Sequence, residues 1–298
     1  MKYNKTAGDK VADVFIYLFY TFFTFICVFP FYFVLINTIS DNTYVSRGAI
    51  LFLPQGIHFN NYLQIFQLPG IFDAAFMSVA RTSIGTFLTL VGSSFLGYAM
   101  TRQEYWGRRF WYRFFIITMY FNAGLIPFFL TIRTLGLMNN FWVYVLPGMV
   151  GPFNMILIKT YIESVPAALE ESAEIDGAGY LRRYFFIILP LSKPILATIA
   201  IFAAVGQWNA FMDTVMFANR PHLFTLQFIL FRYLNELHAL ADLIRRSPEM
   251  AGEVAGRMLT PVAIRYTITA VVVMPILLVY PFFQRFFTKG IMIGAVKG

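Results

Sequence analysis

The sequence predicts an all-α integral membrane protein with six transmembrane helices. Hydrophobic residues make up 58% of the 298 residues and charged residues 13%, and the mean hydropathy is +0.65. Soluble domains are about one quarter charged, so this composition excludes an ordinary soluble fold. The charged residues also gather in short stretches between long apolar runs. Together these observations predict apolar helices that cross a bilayer and polar loops that join them.

Six stretches are long enough to be spans, because a helix needs about 20 largely apolar residues to cross the hydrocarbon core. We expect residues 1–298 to form one transmembrane domain. The predicted spans cover residues of about 12–39, 75–100, 111–131, 141–162, 191–211 and 263–286. Phe (35) and Tyr (17) are frequent, which is typical of lipid-facing surfaces and of interfacial belts.

The basic residues indicate which loops are cytoplasmic, because cytoplasmic loops of membrane proteins carry an excess of Lys and Arg. On one side of the predicted membrane lie Lys2, Lys5, Lys10, Arg102, Arg108, Arg109, Arg113, Arg182, Arg183, Lys193, Arg285, Lys289 and Lys297. The first two connections on the other side contain little beyond Arg47 and Arg133. We therefore expect both termini to be cytoplasmic, in a multi-pass protein of the cell (inner or plasma) membrane. These patches explain the net charge of +8, which does not indicate nucleic-acid binding.

The charged stretch between the fourth and fifth predicted spans, residues 163–190, must lie in water. Its charged residues include Glu170, Glu171, Glu174, Asp176, Arg182 and Arg183. At the bilayer centre, insertion scales assign each charged residue a cost of about 2.5–3.5 kcal/mol. Ser164 and Pro166 favour the start of a helix, and Gly177 and Gly179 favour its end. Composition alone also allows an ordinary solvated loop.

The spacing within this loop is more specific than its composition. Glu171-Ser172-Ala173 is followed after three residues by Gly177, and after nine more by Ile187-Ile188-Leu189-Pro190. This pattern resembles the cytoplasmic loop E-A-A-x3-G-x9-I-x-L-P of permease subunits in binding-protein-dependent carbohydrate ABC importers, and only Ser172 departs from it. Residues 290–298 resemble the G-x-x-x-G-A-V-K-G tail of the same permeases. The pattern around Arg81 resembles their polysaccharide-type subfamily (LplC- and YtcP-like).

The resemblance implies the type I ABC importer permease fold, in which this loop forms a coupling helix that docks on an ATPase subunit. The residues that it assigns to this contact are Glu170, Glu171, Ser172, Ala173, Asp176 and Gly177. The implied partners are a homologous second permease subunit, two ATPase subunits and an extracytoplasmic solute-binding protein. The chain lacks the nucleotide-binding pattern G-x-x-x-x-G-K-[ST], so we expect ATP and Mg on the ATPase subunits. This chain is expected to be no enzyme and to carry no cofactor or metal.

Four residues are candidates for the substrate pathway. Trp208 and Asn209 resemble a sugar site, because an aromatic face stacks on a pyranose and an amide binds hydroxyl groups; an interfacial Trp belt is the alternative. Carbohydrate permeases share a Trp-Asn pair near this position, and Asp213 follows it here. Arg81 lies inside the second predicted span. It either snorkels to the outer surface or faces the pathway toward an anionic sugar.

The sequence thus favours the permease subunit of an ATP-driven importer for an oligosaccharide. The subfamily favours a fragment of polysaccharide origin, with acidic fragments such as alginate or pectin oligosaccharides among the candidates. The alternative is an ion-coupled secondary sugar transporter, although no carboxylate stands out at mid-span and no suitable repeat is seen. An intramembrane enzyme is disfavoured, because His58, His222 and His238 fall in predicted outer loops without metal-ligand spacing.

Overall fold

The computed structural model describes residues 7–235 and 262–279, and every regular element in these ranges is helical. The prediction of an all-α chain is therefore confirmed for the described residues. The first helices are α1 (Ala7–Thr38), α2 (Asn42–Ser46), α3 (Asn60–Phe66), α4 (Ile71–Thr101), α5 (Arg108–Tyr120), α6 (Leu125–Thr134) and α7 (Pro152–Glu163). They are followed by α8 (Ala168–Ile175), α9 (Tyr180–Leu191), α10 (Lys193–Asn209), α11 (Met212–Phe217), α12 (226–235) and α13 (Val262–Val279).

Three of these helices, α1, α4 and α13, are long and apolar enough to cross a membrane. A fourth crossing forms if α9 and α10, which meet at an angle of 79°, are counted as one bent span. These elements overlap the first, second, fifth and sixth predicted spans. Residues 280–286 of the sixth lie outside the described residues.

The third and fourth predicted spans are interrupted in the structure. In the third, residues 121–124 leave the helix, and Gly124 has a φ of 88°. In the fourth, α7 has only 12 residues and begins after Pro147 and Gly148. A glycine with positive φ and a proline without an N–H both interrupt the helical hydrogen-bond ladder. The count of six spans therefore stays a prediction.

The chain divides into two compact units, residues 1–68 with 233–273 and residues 69–232 with 274–298. In the first unit Ile36, Val45, Ile50 and Ala263 form a buried core. Asp41 caps the start of α2, where its Oδ1 accepts a hydrogen bond of 2.8 Å from the backbone N–H of Thr43. This hydrogen bond lowers the pKa of the Asp41 carboxyl below its ordinary value.

The second unit is built around α4, which packs on α7 and α10. The residues buried along α4 are mostly small and include Ala74, Ser78, Arg81, Gly85, Thr89, Ser93, Ser94 and Gly97. Small side chains let membrane helices approach one another closely. At Gly85 a Cβ atom would lie 2.7 Å from the side chain of Gln207 on α10, so a larger residue there would force Gln207 to shift. Near the charged stretch of residues 163–190, the core of the second unit continues through Tyr98, Ile158 and Tyr184.

Candidate functional site

The loop predicted to couple to an ATPase contains the eight-residue helix α8. Glu170 and Glu171 lie in its first turn, where the partial positive charge of a helix amino terminus stabilises carboxylates. The sequence suggested Ser164 as the cap of α8, but Ser164 lies at the end of α7 instead. Its hydroxyl donates a hydrogen bond of 2.6 Å to the carbonyl of Tyr161. The residue at the cap position is Ala167, which offers no side-chain hydrogen bond.

Helix α8 ends in a Schellman motif. The N–H of Gly177 donates to the carbonyl of Glu174 at 2.9 Å, and the N–H of Ala178 donates to the carbonyl of Ala173 at 2.9 Å. This arrangement places the residue after the cap in the left-handed region, and Gly177 has a φ of 79°. The first part of the loop motif therefore encodes a short helix with a defined end.

One face of α8 is open to solvent. Glu171, Ser172, Asp176 and Gly177 are all exposed, and Ala173 is half-buried. Two large apolar side chains of the same helix are also exposed: Ile175 is 86% exposed and Leu169 is 47% exposed. Exposed apolar residues flanked by carboxylates are typical of a protein–protein contact. We call the residues Leu169, Glu171, Ser172, Ile175, Asp176 and Gly177 the α8 surface.

Glu170 lies on the opposite side of α8 from this surface and is only 8% exposed. Its Oε1 accepts a hydrogen bond of 2.8 Å from the Tyr98 hydroxyl and another from Nη1 of Arg102. The structure thus separates the six residues predicted for the ATPase contact. Five of them lie at or beside the exposed face, and Glu170 is bound to the end of α4. Sequence reasoning missed Tyr98 and gave Arg102 no partner.

Glu174 lies one turn after Glu170 and makes a second contact within the chain. Its Oε2 accepts a hydrogen bond of 2.7 Å from Nη1 of Arg183, whose side chain is buried. The Arg183 guanidinium also lies over the Tyr180 ring, 4.5 Å from its centroid. The acidic and basic halves of the loop, which the sequence presents as separate charge runs, are therefore joined.

The closing Ile-Ile-Leu-Pro part of the motif begins in a π-helical turn within α9, which covers Tyr184–Ile188. The N–H of Leu189 donates to the carbonyl of Tyr184, five residues earlier. Pro190 follows and has no N–H to continue the ladder. The chain then bends by 79° into α10. The π-helical turn and Pro190 thus interrupt the regular hydrogen-bond ladder just before α10 begins.

Arg81 forms the second candidate site, inside α4. Its residue exposure is 1%, and its five N–H groups all have acceptors. Asp213 accepts two hydrogen bonds of 3.1 and 2.5 Å, Gln207 accepts two of 3.2 and 3.1 Å, and the carbonyl of Ala210 accepts one of 3.1 Å. The guanidinium also lies over the Tyr144 ring at 4.5 Å. Such a bidentate pair with further hydrogen bonds is what a buried arginine requires.

This network joins α4 to the break between α10 and α11. Helix α10 ends at Asn209, and Ala210 is extended with a ψ of 127°. Arg81 satisfies the carbonyl of Ala210 and pairs with Asp213 in the first turn of α11. The arginine therefore holds a broken helix in place. Snorkelling of Arg81 is not observed, because the guanidinium does not reach solvent.

Arg81 and Asp213 line a cavity of about 640 Å³ in the second unit. Its other walls include Thr89, Phe128, Tyr144, Asn154, Phe202 and Gln207. Trp208 faces a different cavity of about 320 Å³, which is lined mainly by apolar residues such as Val79, Ile201 and Pro275. Asn209 is exposed, and its Oδ1 accepts a hydrogen bond of 3.4 Å from Gln227. Of the four predicted pathway residues, the structure brings together only Arg81 and Asp213.

Sequence reasoning named no role for Gln207 or Tyr144, which complete the Arg81 network. No local signal links them, because Gln207 is 126 residues from Arg81. Within residues 7–235 and 262–279, no cluster of three or more His, Cys, Asp or Glu side chains is placed to bind a metal ion.

Comparison with known proteins places these features in one family. Residues 91–293 match the family described as "Binding-protein-dependent transport system inner membrane component". The chain is 33% identical over 294 residues to the polygalacturonan/rhamnogalacturonan transport system permease protein YtcP of Bacillus subtilis, covering 97% of this chain and 99% of that protein. It is 32% identical over 296 residues to protein LplC of Bacillus subtilis, covering 99% and 98%.

A solved structure is also similar. It is the crystal structure of a bacterial ABC transporter involved in the import of the acidic polysaccharide alginate. The TM-score is 0.83 at 27% sequence identity, and the match covers 96% of this chain and 100% of that chain.

Proposed function

The chain belongs to the family of binding-protein-dependent transport system inner membrane components, and on this premise we propose that it carries an oligosaccharide across the cytoplasmic membrane in an ATP-driven importer. The family is one of membrane permeases rather than enzymes. The resemblance seen in the loop motif is thereby confirmed. ATP and Mg are bound by separate ATPase subunits. This chain transmits the movement of those subunits to the membrane helices.

The observation that carries this proposal is the α8 surface. The motif Glu171-Ser172-Ala173-x3-Gly177 folds into a short helix with a fixed end, and its exposed face combines Ile175, Leu169 and two carboxylates. The chain holds the other side of α8 through Glu170 and Glu174, and it leaves Ile175 and Leu169 exposed beside carboxylates, as at a surface that binds a partner. That partner is an ATPase subunit.

The remaining assembly follows from the family. A homologous permease subunit completes the pathway, a second ATPase subunit completes the nucleotide-driven pair, and an extracytoplasmic binding protein delivers the sugar. The chain crosses the membrane six times with both termini in the cytoplasm. Closure of the ATPase pair moves α8, and the spans alternate between inward-facing and outward-facing arrangements.

The substrate is an oligosaccharide derived from a polysaccharide, and acidic fragments are the first candidates. The names of YtcP and of the alginate importer support this choice. The cavity beside Arg81 supplies aromatic rings and uncharged hydrogen-bonding groups, namely Phe128, Tyr144, Asn154 and Gln207. Such a combination suits a sugar, which has apolar ring faces and polar hydroxyl edges.

An ion-coupled secondary transporter is not favoured. It would need a carboxylate that gains and loses a proton or binds the coupling ion during transport. Asp213 lines the cavity, but its two oxygens are bound by Arg81. Both oxygens of this carboxylate are therefore already occupied by an ion pair within the chain.

The test is transport by the reconstituted complex. The chain would be co-purified with its partner permease and ATPase subunits, placed in liposomes, and supplied with binding protein and a labelled oligogalacturonide or alginate oligosaccharide. The proposal predicts uptake that requires ATP hydrolysis and stops with vanadate, with a neutral malto-oligosaccharide as the comparison substrate. Uptake by the chain alone, driven by a proton or sodium gradient without ATP, would overturn it.

A further inference from the structure

The cytoplasmic end of α4 and the first turn of α8 are fastened to one another by three side chains. The Tyr98 hydroxyl donates a hydrogen bond of 2.8 Å to Oε1 of Glu170, and Arg102 donates a hydrogen bond to the same oxygen. The Arg102 guanidinium lies over the Tyr98 ring, 4.7 Å from its centroid. Glu170 and Tyr98 are 8% and 4% exposed. A carboxylate so little hydrated depends on these two donors.

The rotational orientation of α8 about its own axis separates this contact from the α8 surface. Residues four apart lie on the same side of a helix, and Glu170 and Glu174 bind Arg102 and Arg183 of their own chain, although Glu170 is buried and the Glu174 side chain is 62% exposed. Ser172 and Ile175 lie on the other side and are exposed. One face of α8 is thus available to a partner, while the other is bound by charged groups to its own chain.

A second set of contacts supports the first. The ring of Tyr184 in α9 lies 5.3 Å from the ring of Tyr98, and its hydroxyl is 2.6 Å from Oγ of Ser94 on α4. The last two turns of α4 therefore hold both α8 and α9. The exposed face of α8 is therefore connected to α4 by a continuous series of hydrogen bonds and ring contacts.

We propose that Glu170, Tyr98 and Arg102 form a clamp that transmits the movement of α8 to the membrane helix α4. The inference rests on the proposed function, since it assumes that an ATPase subunit moves α8. Glu170 is then a positioning residue inside the permease and makes no contact with the ATPase. Without the clamp the ATPase subunits still bind and hydrolyse ATP, but their movement no longer drives α4. Hydrolysis and transport become uncoupled.

The experiment uses the complete complex in liposomes and measures the number of ATP molecules hydrolysed per sugar transported. Glu170→Gln and Tyr98→Phe each remove one element of the clamp, and Tyr98→Phe removes only a hydroxyl group. Each variant is expected to keep its ATPase subunits through purification. Its ATP-to-sugar ratio should rise by about tenfold, the factor expected for the loss of one hydrogen bond to a charged group.

Two matched controls distinguish the clamp from docking and from general charge effects. Glu171→Gln changes the neighbouring exposed carboxylate, and it should weaken retention of the ATPase subunits. Glu163→Gln removes an exposed pair with Lys159 at the end of α7 and should change neither quantity. The exchanged pair Glu170→Arg with Arg102→Glu restores opposite charges, and it should lower the ATP-to-sugar ratio relative to either single change.

Each other outcome overturns the clamp. If Glu170→Gln and Tyr98→Phe keep the ratio of the unaltered complex, the contacts do not transmit movement. If Glu170→Gln loses its ATPase subunits in the same way as Glu171→Gln, Glu170 belongs to the docking surface. If the unaltered chain never retains ATPase subunits, the proposed function itself fails, and this result is recognised before any variant is made.

Discussion

Replacement of Gly177 tests why this position needs glycine. The reason is either its left-handed backbone conformation or the space that a missing side chain leaves for a partner. Gly177 has a φ of 79°, and no atom lies within 4 Å of the place where a Cβ atom would be. A substitution therefore meets no clash within the chain. Its cost is the strain of a left-handed backbone, about 1–2 kcal/mol for an ordinary L-residue. Asparagine tolerates this conformation better than alanine.

The magnitude follows from this difference. A penalty of 1–2 kcal/mol lowers the population of the native end of α8 by roughly five- to thirtyfold. We therefore expect Gly177→Ala to reduce ATP-dependent uptake by up to that factor, while Gly177→Asn stays closer to the unaltered protein. Gly177→Val should be the most severe, because β-branched residues rarely adopt a positive φ. The assay is initial uptake into liposomes at equal amounts of inserted chain.

Close docking of a partner on Gly177 predicts another order. In that case the size of the side chain decides, and Asn would impair uptake more than Ala. The backbone explanation therefore predicts faster uptake by the Asn variant than by the Ala variant, and close docking predicts the reverse. A more active Ala variant would refute the backbone argument and support close approach of the ATPase surface at this glycine.

Two further predictions concern the second unit, and both are measured as thermal unfolding of the detergent-solubilised protein. Arg81→Gln leaves the Asp213 carboxylate without its cation, and Asp213→Asn leaves the buried Arg81 guanidinium without its anion. Each single change should lower the free energy of unfolding by about 3–5 kcal/mol, and the double change should lower it by less than the sum of the two. Gly85→Ala should destabilise the protein by about 1–3 kcal/mol, because its Cβ atom would lie 2.7 Å from the Gln207 side chain and displace an acceptor of Arg81. Gly206→Ala on α10 is the matched control, since its Cβ atom would meet nothing within 4 Å, and it should be neutral or stabilising by up to about 1 kcal/mol. Additive single effects at Arg81 and Asp213, or equal melting of the two glycine variants, would contradict these arguments.

The sequence predicted the parts of this fold that depend on local pattern. The long apolar helices α1 and α4 follow from hydropathy, and the end of α8 follows from Gly177. The interruptions at Gly124 and Pro147 also had local signals, because glycine and proline break helices. A search for long apolar stretches overlooks them, since neither residue lowers hydropathy much.

The parts that sequence reasoning missed depend on contacts between distant residues. Arg81 and Asp213 are 132 residues apart, and nothing near either residue indicates the other. Glu170 and Glu171 are adjacent in sequence, yet a helix turns about 100° per residue and sends them to different surroundings. Their roles separate only once the rotational orientation of α8 is known, and that orientation is set by Tyr98 in α4 and by Arg102 directly after it.

The most direct test of the central claim is the accessibility of α8 in the assembled importer. The chain has one cysteine, so Ile175→Cys in a Cys27→Ser background gives a single reporter on the α8 surface. Ile175 is 86% exposed, and a maleimide should label it rapidly in the chain without ATPase subunits. Docking predicts that labelling becomes slow when the ATPase subunits are bound. A reporter at Leu135, which is 65% exposed and lies in a predicted outer connection, serves as the control and should label equally in both states. Equal labelling of the α8 reporter with and without the ATPase subunits would show that this surface is not where the ATPase binds.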